Sequence, residues 1–217
     1  MVTADQKDGS PPVAAAAGWA IRGALPVDAE AIALVHADSW RRTYRGMMSD
    51  TYLDGDVVSE RLSVWRQRMT APRGDQRVWI ASTASDLLGF ICVFADEDPR
   101  RGVYVENLHV RHDAQGSGLG TALLQTAAAW TNAEQPRKGL WLWVMEANHS
   151  ARRFYQRLGG VETDRTMLGD PAGGSAPNLR CCWPDVQPIL DKDHPGELRP
   201  GCHPQPSEGM GGHVRGN

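Results

Sequence analysis

The residues best suited to chemistry lie together in Glu106-Asn-Leu-His-Val-Arg-His-Asp-Ala-Gln115-Gly-Ser-Gly-Leu-Gly120-Thr. An apolar run ends at Val110, and glycines follow at 116, 118 and 120. Apolar residues then recur at helical spacing through Leu119, Leu123, Leu124, Ala127 and Ala128. Glycine admits backbone angles and close approaches that a Cβ blocks. A strand passing through such a loop into a helix start aims several N–H groups, and the positive end of the helix dipole, at one point. That is a cradle for a pyrophosphate. The GxxxxGK[ST] loop is absent and no lysine follows the glycines; a GxGxxG fingerprint fails because the third glycine comes one position early. Glycine at a helix start costs roughly 1 kcal/mol against alanine, which an ordinary β–α turn does not require.

A second constellation follows the apolar strand at 140–144: Asn148-His-Ser-Ala151-Arg-Arg-Phe154-Tyr155-Gln-Arg-Leu158-Gly159. Ala151, Phe154 and Leu158 share one helical face, with Tyr155 a turn beyond Ala151 on the neighbouring one. Alone, Asn148 reads as a helix N-cap and Tyr155 as a packing tyrosine.

The elements that must position these groups are legible from periodicity. Residues 19–23 suit a short strand, and 28–43 a helix with Ala29, Ile32, Ala33, His36 and Trp40 on its apolar face. Residues 58–69 suit a second helix through Leu62, Trp65 and Met69. The period then changes: 77–82 and 87–94 flank the turn-rich Thr83-Ala84-Ser85-Asp86, an antiparallel hairpin. Strands at 102–110 and 140–144, a helix from the glycines to about 134, a helix at 148–158, and strands near 161–168 and 178–183 complete the order. This order specifies an α+β domain, a mixed, mostly antiparallel central sheet flanked by helices, over residues 19–183. Residues 1–18 read as a flexible extension. The Pro/Gly-rich stretch 184–217 has too little apolar periodicity to offset its ordering entropy and reads as a tail.

Composition narrows the function classes. Apolar residues make up 41% and charged residues 23%, an ordinary globular balance. With 23 Lys and Arg against 26 Asp and Glu, the net charge of −3 argues against nucleic-acid binding through a general basic field. No run approaches 18 consecutive apolar residues, which argues against a membrane-spanning helix. The first ten residues lack a basic leader pattern, so a cytoplasmic location is expected. Of the four cysteines, Cys181 and Cys182 are adjacent and none forms a CxxC pair, so neither a disulfide framework nor a zinc site is expected. His194, Cys202, His203 and His213 match no standard metal spacing.

Together, Gln115-x-x-Gly118-x-Gly120 and Asn148-x-x-Ala151-x-x-Phe154-Tyr155-x-x-x-Gly159 resemble the two signature blocks of the GNAT superfamily of acetyl-CoA-dependent N-acetyltransferases. The strand Asn107-Leu-His-Val110 and the early stretch Ser39-Trp40-Arg-Arg-Thr-Tyr44-Arg-Gly46 are similar to that family's as well. The resemblance spans about residues 19–183. It implies that the backbone of Leu108, His109 and Val110 runs along the pantetheine arm, with the Val110 N–H polarising the thioester carbonyl. It implies that the amides of Gln115, Gly116, Ser117, Gly118, Leu119, Gly120 and Thr121 hold the pyrophosphate and that Asn148 touches the pantetheine. It makes Tyr155 the acid that protonates the leaving thiolate.

Direct attack of an amine on a thioester needs alignment, an oxyanion donor, one proton removed and one supplied. Glu106 is the candidate base, sharing a face by strand alternation with Tyr104, Leu108 and Val110, opposite Asn107 and His109; the alternative is that it hydrogen-bonds a neighbouring strand or loop and a water chain takes the proton. The expected acceptor is a primary amine of a small molecule or peptide, met by Trp40, Tyr44 and Trp65, with at least one of the two tryptophans read instead as a helix core residue, on a monomer or homodimer. The alternative from another class is a non-catalytic acyl-CoA-binding or regulatory module.

Overall fold

The structure, a computed structural model, describes residues 18–98 and 100–192. Seven strands form one sheet: β1 (Ala20–Gly23), β2 (Gln76–Ser82), β3 (Leu87–Asp98), β4 (Gly102–Val110), β5 (Leu140–Met145), β6 (Val161–Gly169) and β7 (Ser175–Trp183). Their spatial order is β1-β2-β3-β4-β5-β7-β6. All neighbours are antiparallel except β4 and β5. The helices are α1 (Ala29–Thr43), α2 (Asp50–Asp54), α3 (Val57–Thr70), α4 (Leu119–Glu134), α5 (His149–Arg157) and α6 (Gln187–Leu190). The expected mixed α+β architecture is the one observed.

Alternation along the strands builds a core on each face of the sheet. Phe90, Cys92 and Phe94 of β3 face α1 and α3 and pack with Ile32, Trp65 and Met69. Ile91 and Val93 face the other way and pack with Leu119, Leu123 and Ala127 of α4. Within the first layer the Trp65 indole N–H donates to His36 Nδ1 at 2.9 Å. That bond leaves the ring proton on Nε2, which is buried without a partner. Burial, with His109, Arg61 and Arg68 nearby, holds His36 well below the usual imidazole range.

The feature that shapes the molecule is the contact between β4 and β5. They pair only at Val103 with Leu140 and Tyr104 with Trp141, next to a Val103 N–H bond to Gly139 O of 2.9 Å. At this apex backbones press together: a Cβ on Gly102, where φ is +95°, would strike the Gly139 backbone, and a Cβ on Gly139 would strike the Trp183 carbonyl. Past Tyr104 the two strands part.

There β4 also carries a bulge. Val93 pairs with Val105 but Cys92 pairs with Asn107, so Glu106 is an extra residue in the strand. The bulge overturns the simple alternation expected for β4. Glu106 and Asn107 both turn toward α3, where one guanidinium nitrogen of Arg68 reaches Glu106 at 2.5 Å and Asn107 at 3.3 Å. His109 shares that face, bonded to Ser39 of α1. Leu108 and Val110 pack on the opposite face with Val103 and Val105.

Two further differences concern the ends of the domain. Residues 184–192, expected as part of a tail, pack on the domain instead, with Val186 and Ile189 buried in the α4 core. Gln125 of α4 fastens this segment by donating to the Ile189 and Lys192 carbonyls at 3.1 and 2.8 Å. Helix α2 was also missing from the sequence reading. The candidate metal ligands His194, Cys202, His203 and His213 lie outside the described residues, as does most of the expected N-terminal extension. No helix among the described residues is long and apolar enough to cross a membrane.

Overpacking a closed core costs about 1–3 kcal/mol and occasionally more. With backbone on both sides, Gly139→Ala is expected at the upper end, about 3 kcal/mol, read as a lowered urea midpoint. His36 sets a pH dependence. The unfolded chain takes up this proton below the ordinary value of 6.5, while the folded chain resists it, so stability is lost as pH falls below about 6.5. Thermal melts from pH 7 to 5 should show the loss; a flat profile would mean that the buried ring protonates in place.

Candidate active site

The loop between β4 and α4 is built from left-handed backbone. Gly116 and Gly118 have φ of +79° and +84°, a region that side chains with a Cβ avoid. Gly118 is the N-cap of α4, so the N–H groups of Leu119, Gly120 and Thr121 are the unpaired donors of a first helical turn. None of the six successive N–H groups from Gly116 to Thr121 donates to a backbone or side-chain acceptor among the described residues. The Gln115 N–H, expected in the same role, is already given to His112 O at 3.3 Å. The Gln115 side chain turns back to the Val110 carbonyl at 3.3 Å, and Ser117 Oγ ties the loop to Ala114 O at 2.7 Å. The free main-chain donors of this loop thus run from residue 116 to residue 121 among the described residues.

The donors along β4 follow from its pairing. Arg111 N–H bonds Leu88 O at 2.8 Å, so by alternation the N–H groups of His109 and Asn107 also face β3. Those of Leu108 and Val110 point the other way, into the gap left where β5 diverges. The end of β4, the start of α4 and helix α5 meet around Gly120, whose missing side chain leaves a Cβ position 3.5 Å from the Phe154 ring and 3.7 Å from a Val110 methyl. Asn148 spends its Oδ1 on capping α5, accepting from the Ala151 N–H at 3.1 Å. Its amide nitrogen has no such duty.

Tyr155 stands next to Phe154 with ring centroids 5.2 Å apart, and edge-on to Trp183 at 5.8 Å. Burial pushes its hydroxyl well above the usual phenol range, and the Tyr44 phenol and Cys181 thiol push it further. The fold therefore brings Tyr155 and Tyr44, expected from sequence on opposite sides of the reaction, within electrostatic reach of each other. Tyr44 closes the C-terminus of α1, its N–H donating to Trp40 O at 3.0 Å. Trp40 is half-buried with the Arg61 guanidinium 4.6 Å over its ring. Trp65, in contrast, is fully buried and belongs to the core rather than to an acceptor wall.

Glu106 lies 26% exposed with both carboxylate oxygens held by Arg68, at 2.5 and 2.8 Å. To take a proton it must first release that guanidinium. The sequence reading missed Arg68, Arg61 and Ser39 as neighbours of the site. It placed His109 on the far face from Glu106, whereas the bulge puts both on the α1–α3 side. His109 is partly buried, with Nδ1 2.9 Å from Ser39 Oγ and its ring 4.5 Å from His36. Burial and the Arg61 charge bring its pKa down to about 4.

Known proteins share this architecture. The family model described as acetyltransferase (GNAT) family matches residues 37–160. A probable N-acetyltransferase of Mycobacterium tuberculosis, Rv2775, is 28% identical over 155 residues, covering 71% of this chain and 86% of that protein. An uncharacterized N-acetyltransferase of Bacillus subtilis, YuaI, is 26% identical over 175 residues, covering 78% and 95%. Among solved structures, the PaiA N-acetyltransferase of Thermoplasma acidophilum, in complex with coenzyme A, superposes with a TM-score of 0.59 at 20% identity over 76% of this chain and 99% of that one. Arabidopsis thaliana NAA60 in complex with acetyl-CoA gives 0.57 at 18% identity, over 76% and 97%. The matched family model covers more than half of the sequence, including the glycine loop and the start of α5, and the chain belongs to the acetyltransferase (GNAT) family.

Proposed function

We propose that the protein moves an acetyl group from acetyl-CoA to a primary amine of a small molecule or peptide by direct attack. The observation that carries this reading is the run of six unpartnered main-chain N–H groups, 116–121, opening beside two more on β4. A diphosphate satisfies such a concave row of donors at a helix start. An extended arm lying in the gap would continue the sheet, using the Leu108 and Val110 groups that β5 leaves unpaired. The PaiA and NAA60 structures hold coenzyme A and acetyl-CoA, which supports the same ligand here.

In this reading the Val110 N–H faces the thioester oxygen and stabilises it as charge develops. The amine approaches from the side of Trp40 and Tyr44. Its nitrogen lone pair forms the C–N bond, and the C–S bond then breaks. Tyr155 supplies the proton that the departing thiolate needs; the environment that raises its hydroxyl keeps that proton in place at every working pH. Asn148, fixed by its cap, offers its amide nitrogen to the arm.

Acetyl-CoA is expected to raise the melting temperature, since a ligand at 100 times its Kd adds about 2.7 kcal/mol to the native state. Gly116→Ala places a methyl into open space, so it costs only about 1–2 kcal/mol of backbone strain. It nonetheless obstructs the cradle, and calorimetry should show acetyl-CoA binding weakened about tenfold or more, some 1.4 kcal/mol. An unchanged Kd would remove the loop from the site. Tyr155→Phe should lower kcat about 100-fold while acetyl-CoA affinity stays the same; an unaltered kcat would strike Tyr155 from the mechanism.

A further inference from the structure

We propose that His109 Nε2 takes the proton from the attacking amine, and that Ser39 is the positioning residue that holds the ring for it. This rests on the acetyltransferase reading above and assigns a residue for a step that reading leaves open.

His109 precedes Val110, the residue whose N–H faces the reacting carbonyl in that reading, and its side chain lies on the α1–α3 face with Trp40 and Tyr44. Ser39 Oγ meets Nδ1 at 2.9 Å. The contact admits either tautomer; in the one the proposal assigns, Nδ1–H donates to Ser39 Oγ and Nε2 carries the lone pair. Nε2 has no hydrogen-bond partner among the described residues and is not one of the fully buried unpaired polar atoms; the residue as a whole is partly buried. The ring is braced from behind by His36 at 4.5 Å and Phe90 at 5.4 Å. The result is a fixed imidazole beside Val110, with one nitrogen anchored to Ser39 and the other without a partner among the described residues.

The other candidates near β4 are engaged. Arg68 holds both Glu106 oxygens. Glu60 accepts from Tyr52 and from Arg61. His112 lies exposed in the turn after β4. The titratable and charged groups facing His109 are His36 from α1 and Arg61 from α3, while β3 presents only Phe90. Burial and the Arg61 charge keep the ring neutral through the working range, so Nε2 holds a lone pair and returns a captured proton readily. The amine enters as the free base. Its nitrogen becomes cationic as the C–N bond forms, and electron withdrawal by the adduct makes that N–H far more acidic than a free ammonium. The proton passes to Nε2, the C–S bond breaks, and the thiolate takes the Tyr155 proton. His109 then loses its proton to water and Tyr155 regains one, which closes the balance.

The test compares two nucleophiles, with acetyl-CoA as donor and thiol release as the readout. One is the best alkylamine among tyramine, putrescine and glycinamide; the other is hydroxylamine, whose electron-withdrawing hydroxyl makes the adduct N–H acidic enough to lose its proton to water, with little demand on a protein base. His109→Gln is expected to lose about 100-fold in kcat/KM with the alkylamine and to stay within about fivefold of the parent with hydroxylamine. Ser39→Ala should shift the ratio in the same direction by about tenfold, and it decides the matter if His109→Gln fails to fold. A purely structural role would depress both nucleophiles alike, and such parallel losses, or an alkylamine rate equal to the parent's, would overturn the assignment. The acetyl-CoA thermal shift of each variant should equal the parent's. A parent protein that shows neither that shift nor acetylation of any amine would instead sink the acetyltransferase reading itself.

Discussion

Two parallel strands joined at one end and parted at the other are the constraint on which the rest of this structure depends. A buried main-chain donor without an acceptor costs about 1–3 kcal/mol, so a sheet normally closes its ladder. Here β4 and β5 share two residue pairs and then separate, leaving the Leu108 and Val110 groups to face a gap. The separation is imposed locally. Gly102 and Gly139 let the backbones meet so closely at the apex that any side chain there would force them apart at the wrong end. The bulge at Glu106 then increases the twist of β4 where β5 leaves it. Beyond the gap, Phe154 of α5 and Val110 of β4 converge over Gly120, so α5 occupies the wedge that the strands leave.

Because the gap runs through the sheet, its two faces divide the labour. The α4 and α5 layer carries the glycine loop, the Asn148 cap and the Tyr155 ring. The α1 and α3 layer carries Trp40, Tyr44, Ser39 and the histidine pair. In the proposed reading a ligand in the gap would touch both layers, and the strand between them would supply main-chain donors that need no side chain. This explains why a few positions do so much. Val110 contributes a methyl to the junction over Gly120, a carbonyl to Gln115 and an N–H to the gap.

Much of this was legible before any coordinates. The glycine loop, the helix after it, the hairpin and the order of strands follow from periodicity and turn chemistry, and those elements appear within a residue or two of the expected bounds, apart from a longer β3 and an earlier start to β7. The side of the sheet on which Glu106 sits was not read correctly, yet a signal for it existed. The apolar residues of β4 are Val103 and Val105, then Leu108 and Val110, so the core-facing parity slips between 105 and 108. A single inserted residue is the simplest cause of such a slip. Helix α6 was hidden for a different reason. Its prolines suggested a tail, although Val186, Ile189 and Leu190 stand at helical spacing and two of them are buried. Arg68 could not be placed at all, because an ion pair across 38 residues leaves no periodic trace.

The distribution of charge completes the picture. Around the gap the ionic side chains are committed to one another: Arg68 to Glu106, Arg61 to Glu60, Arg152 to Glu162. Beside these pairs stand neutral groups: the main-chain donors, the Tyr155 and Tyr44 hydroxyls, and the His109 ring held neutral by burial and Arg61. A fixed charge beside the thioester would favour one stage of a reaction in which charge appears on oxygen and nitrogen and then on sulfur. Oriented dipoles and neutral proton carriers can serve each stage in turn, and in a partly dry cleft they act without the reorganisation that water would require. In the proposed reaction these ion pairs would hold the scaffold, and the chemistry would fall to groups that gain or lose a proton only while the reaction passes through them.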